Sequence, residues 1–462
     1  MWLAAIGLGA IGLSLPRWLP QAVTGCRMWL FTRVNGEEGI AVPGPRAGVS
    51  LYRALYGHPA ANGRSRGAGL SDLFWYWLSP GPEMHQEHLE AGPRYEAIAQ
   101  ATRQILAIPK TTAGRKARSS ARRVLDELPR SAWQLVRLRD RMMPIWADFY
   151  YEVVFAEPCP RHARDLIVGN ANDVVSALKL TRLRHMETRL RLTQYLRQRI
   201  EAGEVAHPLP EGFTSTELAY YLQGVYFNTA VVQMSEAMTH LLLAIAQHPE
   251  VQARLAANPQ DDRYLDQVIA ETLRVYPLFG IAHRITTAPI AVPGRETLPE
   301  GSVLCFNYPA FHHEGFAAAE SFDPERWPVA KDANYLPFGM PGNRPCPAQA
   351  IALITMREVA REVLERYALA SSAGHTRSIP NRGPVLWSRR GAPLSAVRLA
   401  WLLRGMRVRD RWEDVGRSFL QLVLGLVMIT DARRQRLCQR HFGESPAPRC
   451  PFARFFRKEA SV

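Results

Sequence analysis

One loop limits this chain more than any other stretch: Phe338-Gly339-Met340-Pro341-Gly342-Asn343-Arg344-Pro345-Cys346-Pro347-Ala348-Gln349, which runs straight into an apolar helical pattern. Gly339 and Gly342 open backbone angles closed to other residues, so the chain can fold tightly beneath a planar group and turn its amides toward the sulfur. Those amides would hold Cys346 as a thiolate, the form that binds iron. Arg344, two residues upstream, is placed to pair with a carboxylate on the rim of such a group through a charge-assisted hydrogen bond. Pro341 and Pro345 stiffen the approach. Ile351, Ala352, Ile354 and Val359 give the following helix an apolar face that buries the loop. Taken alone, a cysteine after a turn is more often simply buried.

Two further stretches shift that balance. Glu271-Thr272-Leu273-Arg274 sets a carboxylate and a guanidinium three residues apart on one helix face, and Phe322-Asp323-Pro324-Glu325-Arg326-Trp327 supplies a second arginine before the cysteine. In this order and spacing the three segments resemble the cytochrome P450 family, with its Glu-x-x-Arg helix, its Pro-Glu-Arg segment and its heme-thiolate loop. The resemblance covers about residues 40 to 390. It implies a mainly α protein with a small β region, folded around a buried heme b whose iron Cys346 binds. It also implies Arg344 and Arg284 as contacts to the heme propionates, and Glu271, Arg274 and Arg326 as structural residues.

The chain departs from the family pattern at several points. Phe338 lies eight residues before the cysteine instead of seven, and Ala348 stands where a glycine is usual. The Trp- or His-x-x-x-Arg heme contact is unmatched, which leaves Arg94 and Arg103 as substitutes for it. In the long helical pattern opening near Thr214, Ser215 or Thr216 and closing at Ala246-Gln247-His248-Pro249-Glu250-Val251, the proton-relaying acid and alcohol are replaced by Val232 and Gln233. Gln233 can donate and accept hydrogen bonds above the iron but cannot deliver a proton as an acid does. It is therefore the candidate catalytic residue, with Asn228 or Glu236 as other sources of polar function.

The functional expectation is a heme-thiolate monooxygenase acting on a lipophilic small molecule. It would use molecular oxygen and a separate reductase or ferredoxin, because no flavin or nicotinamide motif occurs. The departures raise one alternative, a peroxygenase, or an isomerase or dehydratase of an already oxidised lipid; a heme-binding protein without turnover is a further alternative of a different class.

The rest of the chain gives coarser signals. Its 462 residues suit one large helical domain with appendages: an anchor and linker over 1–40, a catalytic domain over 41–391 and an extension over 392–462. Six scattered cysteines give no disulfide framework, and Cys159-Pro160-Arg161-His162 lacks a second ligand pair for zinc. The net charge of +15 is spread along the chain without a nucleic-acid module, so it fits an acidic electron carrier, an anionic membrane or a plain solvated exterior. Trp2 to Leu15 is apolar but shorter than the ~20 residues that span a bilayer. It reads as a membrane anchor or as a helix packed on its own domain, the former placing the catalytic domain in the cytoplasm at a membrane surface.

Phe74, Trp75, Tyr76 and Trp77 either overhang the heme or pack in a core. Lys110 to Arg123 reads as a basic loop between helices, and the arginines of 165–203 mostly as a solvated face. His312 and His313 read as strand-end residues. Phe419 to Ile429, flanked by arginines, lies on a membrane, packs on the catalytic domain or joins an oligomer.

Overall fold

In a computed structural model, residues 14–26, 29, 39–129, 131–392 and 394–443 can be described. Helix α1 (residues 14–26) is followed by strand β1 (Gly39–Val42), helix α2 (Tyr52–Tyr56) and helix α3 (Gly69–Leu78). Helices α4 (Pro93–Ile105) and α5 (Lys110–Asp126) and strand β2 (Trp133–Arg137) lead into α6 (Leu138–Phe155), α7 (Arg161–Leu178) and α8 (Met186–Glu201). The central rod is α9 (Ser215–Leu222), a π-helical segment (Gln223–Ala230) and α10 (Val231–Gln247) in unbroken succession. Then come α11 (Pro249–Ala257), α12 (Asp262–Val275), β3 (Ile281–Ile285), β4 (Val303–Asn307) and α13 (Tyr308–His313). The chain closes with α14 (Gln349–Arg366), β5 (Tyr367–Ala370), β6 (Pro384–Arg389), α15 (Ala396–Gln435) and α16 (Leu437–His441). The mainly helical architecture with a small β region is what the sequence predicts; that region is two sheets.

The rod starts at a capping box. The Glu217 amide donates to Thr214 Oγ1 at 3.2 Å, and the Thr214 amide donates to Glu217 Oε2 at 2.8 Å. It stops at His248, because Pro249 has no amide to continue the ladder and begins α11 instead. Leu241, Leu242, Leu243 and Ile245 are fully buried, so the rod is the axis of the main core.

Two sheets of three strands flank it. In one, β4 pairs in parallel with β1 and antiparallel with β3; in the other, β6 lies between β2 and β5. An antiparallel bridge between Gly63 and Ile285 brings Arg64 beside Arg284, although 220 positions separate them in the sequence.

Several expectations need correction. Lys110 to Arg123 is not a loop but most of α5. Its small residues Ala113, Ala117 and Ala121 recur every fourth position and pack against α14, while Arg118 and Arg122 pair with Glu362 on that helix at 3.1 and 3.0 Å. Arg189 is not a solvated residue: it is buried, bonds Asp173 at 2.6 Å and donates to the Trp77 and Ser79 carbonyls. His312 and His313 end a helix, and the Leu336 amide donates to His312 Nε2 at 3.0 Å. Tyr76 packs with Leu70, Leu73, Met428 and Ala432, so the aromatic run forms a seat for α15, and only Phe74 reaches toward the site, stacked on His283. Cys450 and most of the predicted N-terminal anchor lie outside the described residues.

Candidate active site

Cys346 sits just before α14, where the orphan amides of a helix start point back along the chain. The Cys346 amide donates to the Phe338 carbonyl at 2.8 Å, closing the loop, the Gln349 amide donates to the Cys346 carbonyl at 3.2 Å, and the amides of Ala348 and Gln349 near the sulfur favour its ionised form. Gly339 holds φ +77°, and a Cβ there would lie 3.2 Å from the Tyr56 hydroxyl, so the tight turn needs a glycine. Burial nevertheless outweighs those two amides and pushes the Cys346 thiol up, with the nearby Glu87 charge adding to it.

Around Glu87 stands a set of arginines. Arg64 Nη1 and Arg284 Nη1 donate to Glu87 Oε1 at 3.2 and 3.1 Å. Arg64 Nη2 also donates to Asn343 Oδ1 at 2.7 Å, and Arg284 Nη2 to the Tyr56 hydroxyl at 2.8 Å. Arg344 donates to the Leu89 carbonyl at 2.5 Å and lies 3.7 Å over the Tyr95 ring. It is held at φ +50°, a left-handed conformation that costs a residue with a side chain about 1–2 kcal/mol. Burial would raise the Glu87 carboxyl, but Arg64 and Arg284 overcome it and hold the group down at about 2. Protein surrounds Glu87 on every side, yet its side chain keeps 46% of its surface accessible; that surface faces an internal space.

The central rod looks onto the same space. Thr229, Ala230 and Gln233 are only partly covered in an otherwise buried stretch, and their spacing puts them on one helix face. Thr229 Oγ1 is 2.6 Å from His85 Nε2, two residues from Glu87. Burial lowers the His85 imidazole to about 4, so it is neutral near pH 7. Gln233 has no hydrogen-bond partner among the described residues. Val232 is in the core, and Glu236 bonds Arg139 and Lys179 at 3.0 and 2.9 Å, so it supplies no free polar group to the site.

Below the site the Glu-x-x-Arg helix behaves as the resemblance implies. Glu271 and Arg274 are both fully buried and joined by two hydrogen bonds of 2.9 and 2.8 Å. Arg326 Nε, Trp327 Nε1 and the Asp323 amide also donate to the Glu271 carboxylate, at 3.1, 3.0 and 2.9 Å.

The family model described as Cytochrome P450 matches residues 161–393, half of the chain. The chain belongs to the cytochrome P450 family. It is 34% identical over 158 residues to a cyclooctat-9-en-7-ol 5-monooxygenase of Streptomyces melanosporofaciens, a match covering 30% of this chain and 33% of that protein. It is 31% identical over 155 residues to cytochrome P450 3A2 of Rattus norvegicus, covering 29% of this chain and 30% of the relative. The chain spans about a third of the length of the curated relatives it matches. Among solved structures, a zebra fish cytochrome P450 with progesterone superposes with a TM-score of 0.61 at 16% identity, covering 77% of this chain and 94% of that one. A cyanobacterial cytochrome P450 with retinoic acid bound gives 0.60 at 16% identity, covering 76% and 88%. These likenesses establish the P450 fold.

Heme is the group this family and fold carry, and the site fits it. Cys346 has the Ala348 and Gln349 amides near its sulfur and lies close enough to Glu87 to feel its charge. Arg64, Arg284 and Arg344 each retain a buried nitrogen without a partner, and Glu87 balances only one of the three charges. With Glu90 also at the cluster, positive charge is left in surplus, the sign that complements the propionates of a heme. Arg94, by contrast, is exposed and paired with Glu217 at 2.5 Å, and Arg103 is exposed, so neither replaces the missing family contact. Arg64 lies inside the cluster and went unrecognised in the sequence. Its partners Asn343 and Arg284 are more than 200 residues away, and no local spacing marks it.

Proposed function

We propose that the protein is a heme-thiolate monooxygenase of a lipophilic small molecule, with Cys346 as the iron ligand, Arg344 and Arg284 as propionate contacts and residues 41–391 as the catalytic unit. The observation that carries this reading is the placement of Cys346 at the start of α14, with two amides near its sulfur and the Glu87–arginine cluster close by. Bound through such a sulfur, heme supplies activation of molecular oxygen. The chain's own residues do the rest. Arg64, Arg284 and Arg344 hold the rim, apolar residues of the core exclude water, and Gln233 and Thr229 offer polar atoms on the opposite wall. Electrons come from a separate reductase or ferredoxin. The apolar N-terminal residues 1–31 are taken as a membrane contact, with the catalytic domain on the cytoplasmic side.

A second reading rests on Val232 and Gln233. With no acid on that wall and an imidazole held neutral at His85, delivery of protons from solvent to oxygen is weak, and turnover with peroxide, which carries its own protons, or with an already oxidised lipid consumes none from solvent. Products formed from lipophilic substrates with oxygen and a reductase, and separately with peroxide alone, distinguish the two. Reductase-dependent product supports the monooxygenase; product with peroxide alone supports the second reading.

Gln233→Ala should keep full heme content while lowering the product formed per electron consumed by about tenfold, as expected for loss of one positioned polar group. Gln233→Thr should preserve or improve coupling. Unchanged coupling in both variants would remove Gln233 from the site.

A further inference from the structure

The face of helix α15 that packs on the protein is mixed. Met406, Met428 and Ala432 are buried in apolar clusters, while Asp410 accepts from the Asn381 side chain at 2.8 Å and from the Gly374 amide at 3.0 Å, and Gln421 donates to the Lys179 carbonyl at 2.9 Å. The outward face is apolar. Val397, Trp401, Val408, Trp412, Phe419 and Val423 recur at intervals of four and seven residues, a stripe that Leu426 extends. Trp401 is 66% exposed, Val423 62% and Leu426 65%. Surface patches of this size on soluble proteins mark interaction sites.

The surroundings identify the partner. Arg398, Arg404, Arg407 and Arg411 are exposed along the same helix. Its acids are spent inward: Glu413 pairs with Arg137, Asp414 with Arg417 and Asp431 with Arg184, while Asp410 is buried. Helix α1 docks beside it through Leu19 and Val23 against Val415 and Leu422, and adds exposed Arg17 and Trp18 to the same region. Tryptophan with arginine beside an aliphatic stripe is the composition of a helix lying at a membrane interface. By length and composition α15 could cross a membrane. The stripe from Val397 to Leu426 is about 45 Å long at 1.5 Å per residue, longer than the ~30 Å hydrocarbon core, and the other face of the helix is packed on the protein. The helix therefore lies along the surface instead of crossing.

We propose that the outward face of α15, with Trp18 beside it, is a docking surface for an anionic lipid bilayer, on which the helix rests parallel to the membrane plane. This shares with the proposed function the idea that the protein meets a membrane, but it puts the main contact on α15, with only Arg17 and Trp18 of residues 1–31 beside it.

The test is co-sedimentation of the full-length heme-loaded protein with vesicles of phosphatidylcholine alone and of phosphatidylcholine mixed equally with phosphatidylglycerol. The parent should bind the mixed vesicles strongly and the neutral ones weakly. Arg404→Gln, Arg407→Gln and Arg411→Gln combined should weaken binding to the mixed vesicles by about 100-fold, about fivefold for each arginine. Trp401→Gln, Val423→Gln and Leu426→Gln combined should weaken it by about tenfold or more with an unchanged heme spectrum. If both triple variants bind like the parent while deletion of residues 1–31 abolishes binding, the α15 surface is wrong and the N-terminal contact stands. If the parent binds neither vesicle, both are wrong. Self-association of the parent that the apolar triple variant loses, without vesicle binding, assigns the face to a second copy and overturns the proposal.

Discussion

Glu271→Ala should leave the protein without heme and largely unfolded. The carboxylate takes five hydrogen bonds, from Arg274 twice, Arg326, Trp327 and the Asp323 amide, and it is wholly buried. Removing it strands the Arg274 guanidinium at full burial, and breaking one side of such a pair costs about 3–5 kcal/mol. A domain stable by about 5–15 kcal/mol loses a large part of its margin. Glu271 also ties α12 to the segment that leads into the Cys346 loop, so the loss falls on the heme site first. Glu271→Gln, which keeps the shape and some acceptors, should recover part of the heme content. Thermal unfolding and heme content measured side by side decide this, and an alanine variant with parental values in both would show that the pair carries no structural weight.

Arg284→Ala and Glu87→Gln should change heme retention in opposite directions. Arg284 bonds Glu87 and Tyr56 and has a further buried nitrogen without a partner. A hydrogen bond to a charged group contributes about 1.5–3 kcal/mol, so its removal should speed transfer of heme to a scavenging apoprotein by about tenfold to 100-fold. Glu87 competes with the propionates for the same arginines, so Glu87→Gln should slow that transfer. Because the Glu87 carboxyl is held at about 2, below its ordinary value of 4.5, it stays ionised in mild acid. Its contribution to stability is complete above about pH 4.5 and is lost only as pH falls toward 2. The effect of Glu87→Gln should accordingly be the same at pH 6 and pH 8. Faster heme loss in both variants would mean that Glu87 supports the arginines more than it competes for them.

What the sequence revealed follows from how far apart the interacting residues lie. The Cys346 loop and the Glu271-Arg274 pair are local, three residues apart or within one turn, and their chemistry survives in spacing alone. Arg326 was legible because its segment has a fixed place before the loop. Arg64, Glu87 and His85 were not, since each gains meaning only when β3 and the central rod bring residues from distant parts of the chain around one space. The basic run of α5 misled for another reason: arginine and lysine density hid the four-residue repeat of Ala113, Ala117 and Ala121 that packs on α14. In α15 the apolar period is visible in the sequence, but which side faces out is set by distant contacts, apolar at Met406 and Met428 and polar with Asn381, Gly374 and Lys179.

The heme-thiolate assignment itself rests on one sulfur. The absorption spectrum of the reduced protein under carbon monoxide reports the atom opposite the bound gas, and the parent should show the long-wavelength Soret band of a thiolate-ligated heme. In Cys346→Ser that band should be absent, with heme lost or bound with the shorter-wavelength band of a neutral ligand. A Cys346→Ser protein that keeps the thiolate band would place the iron on another cysteine and contradict the site described above.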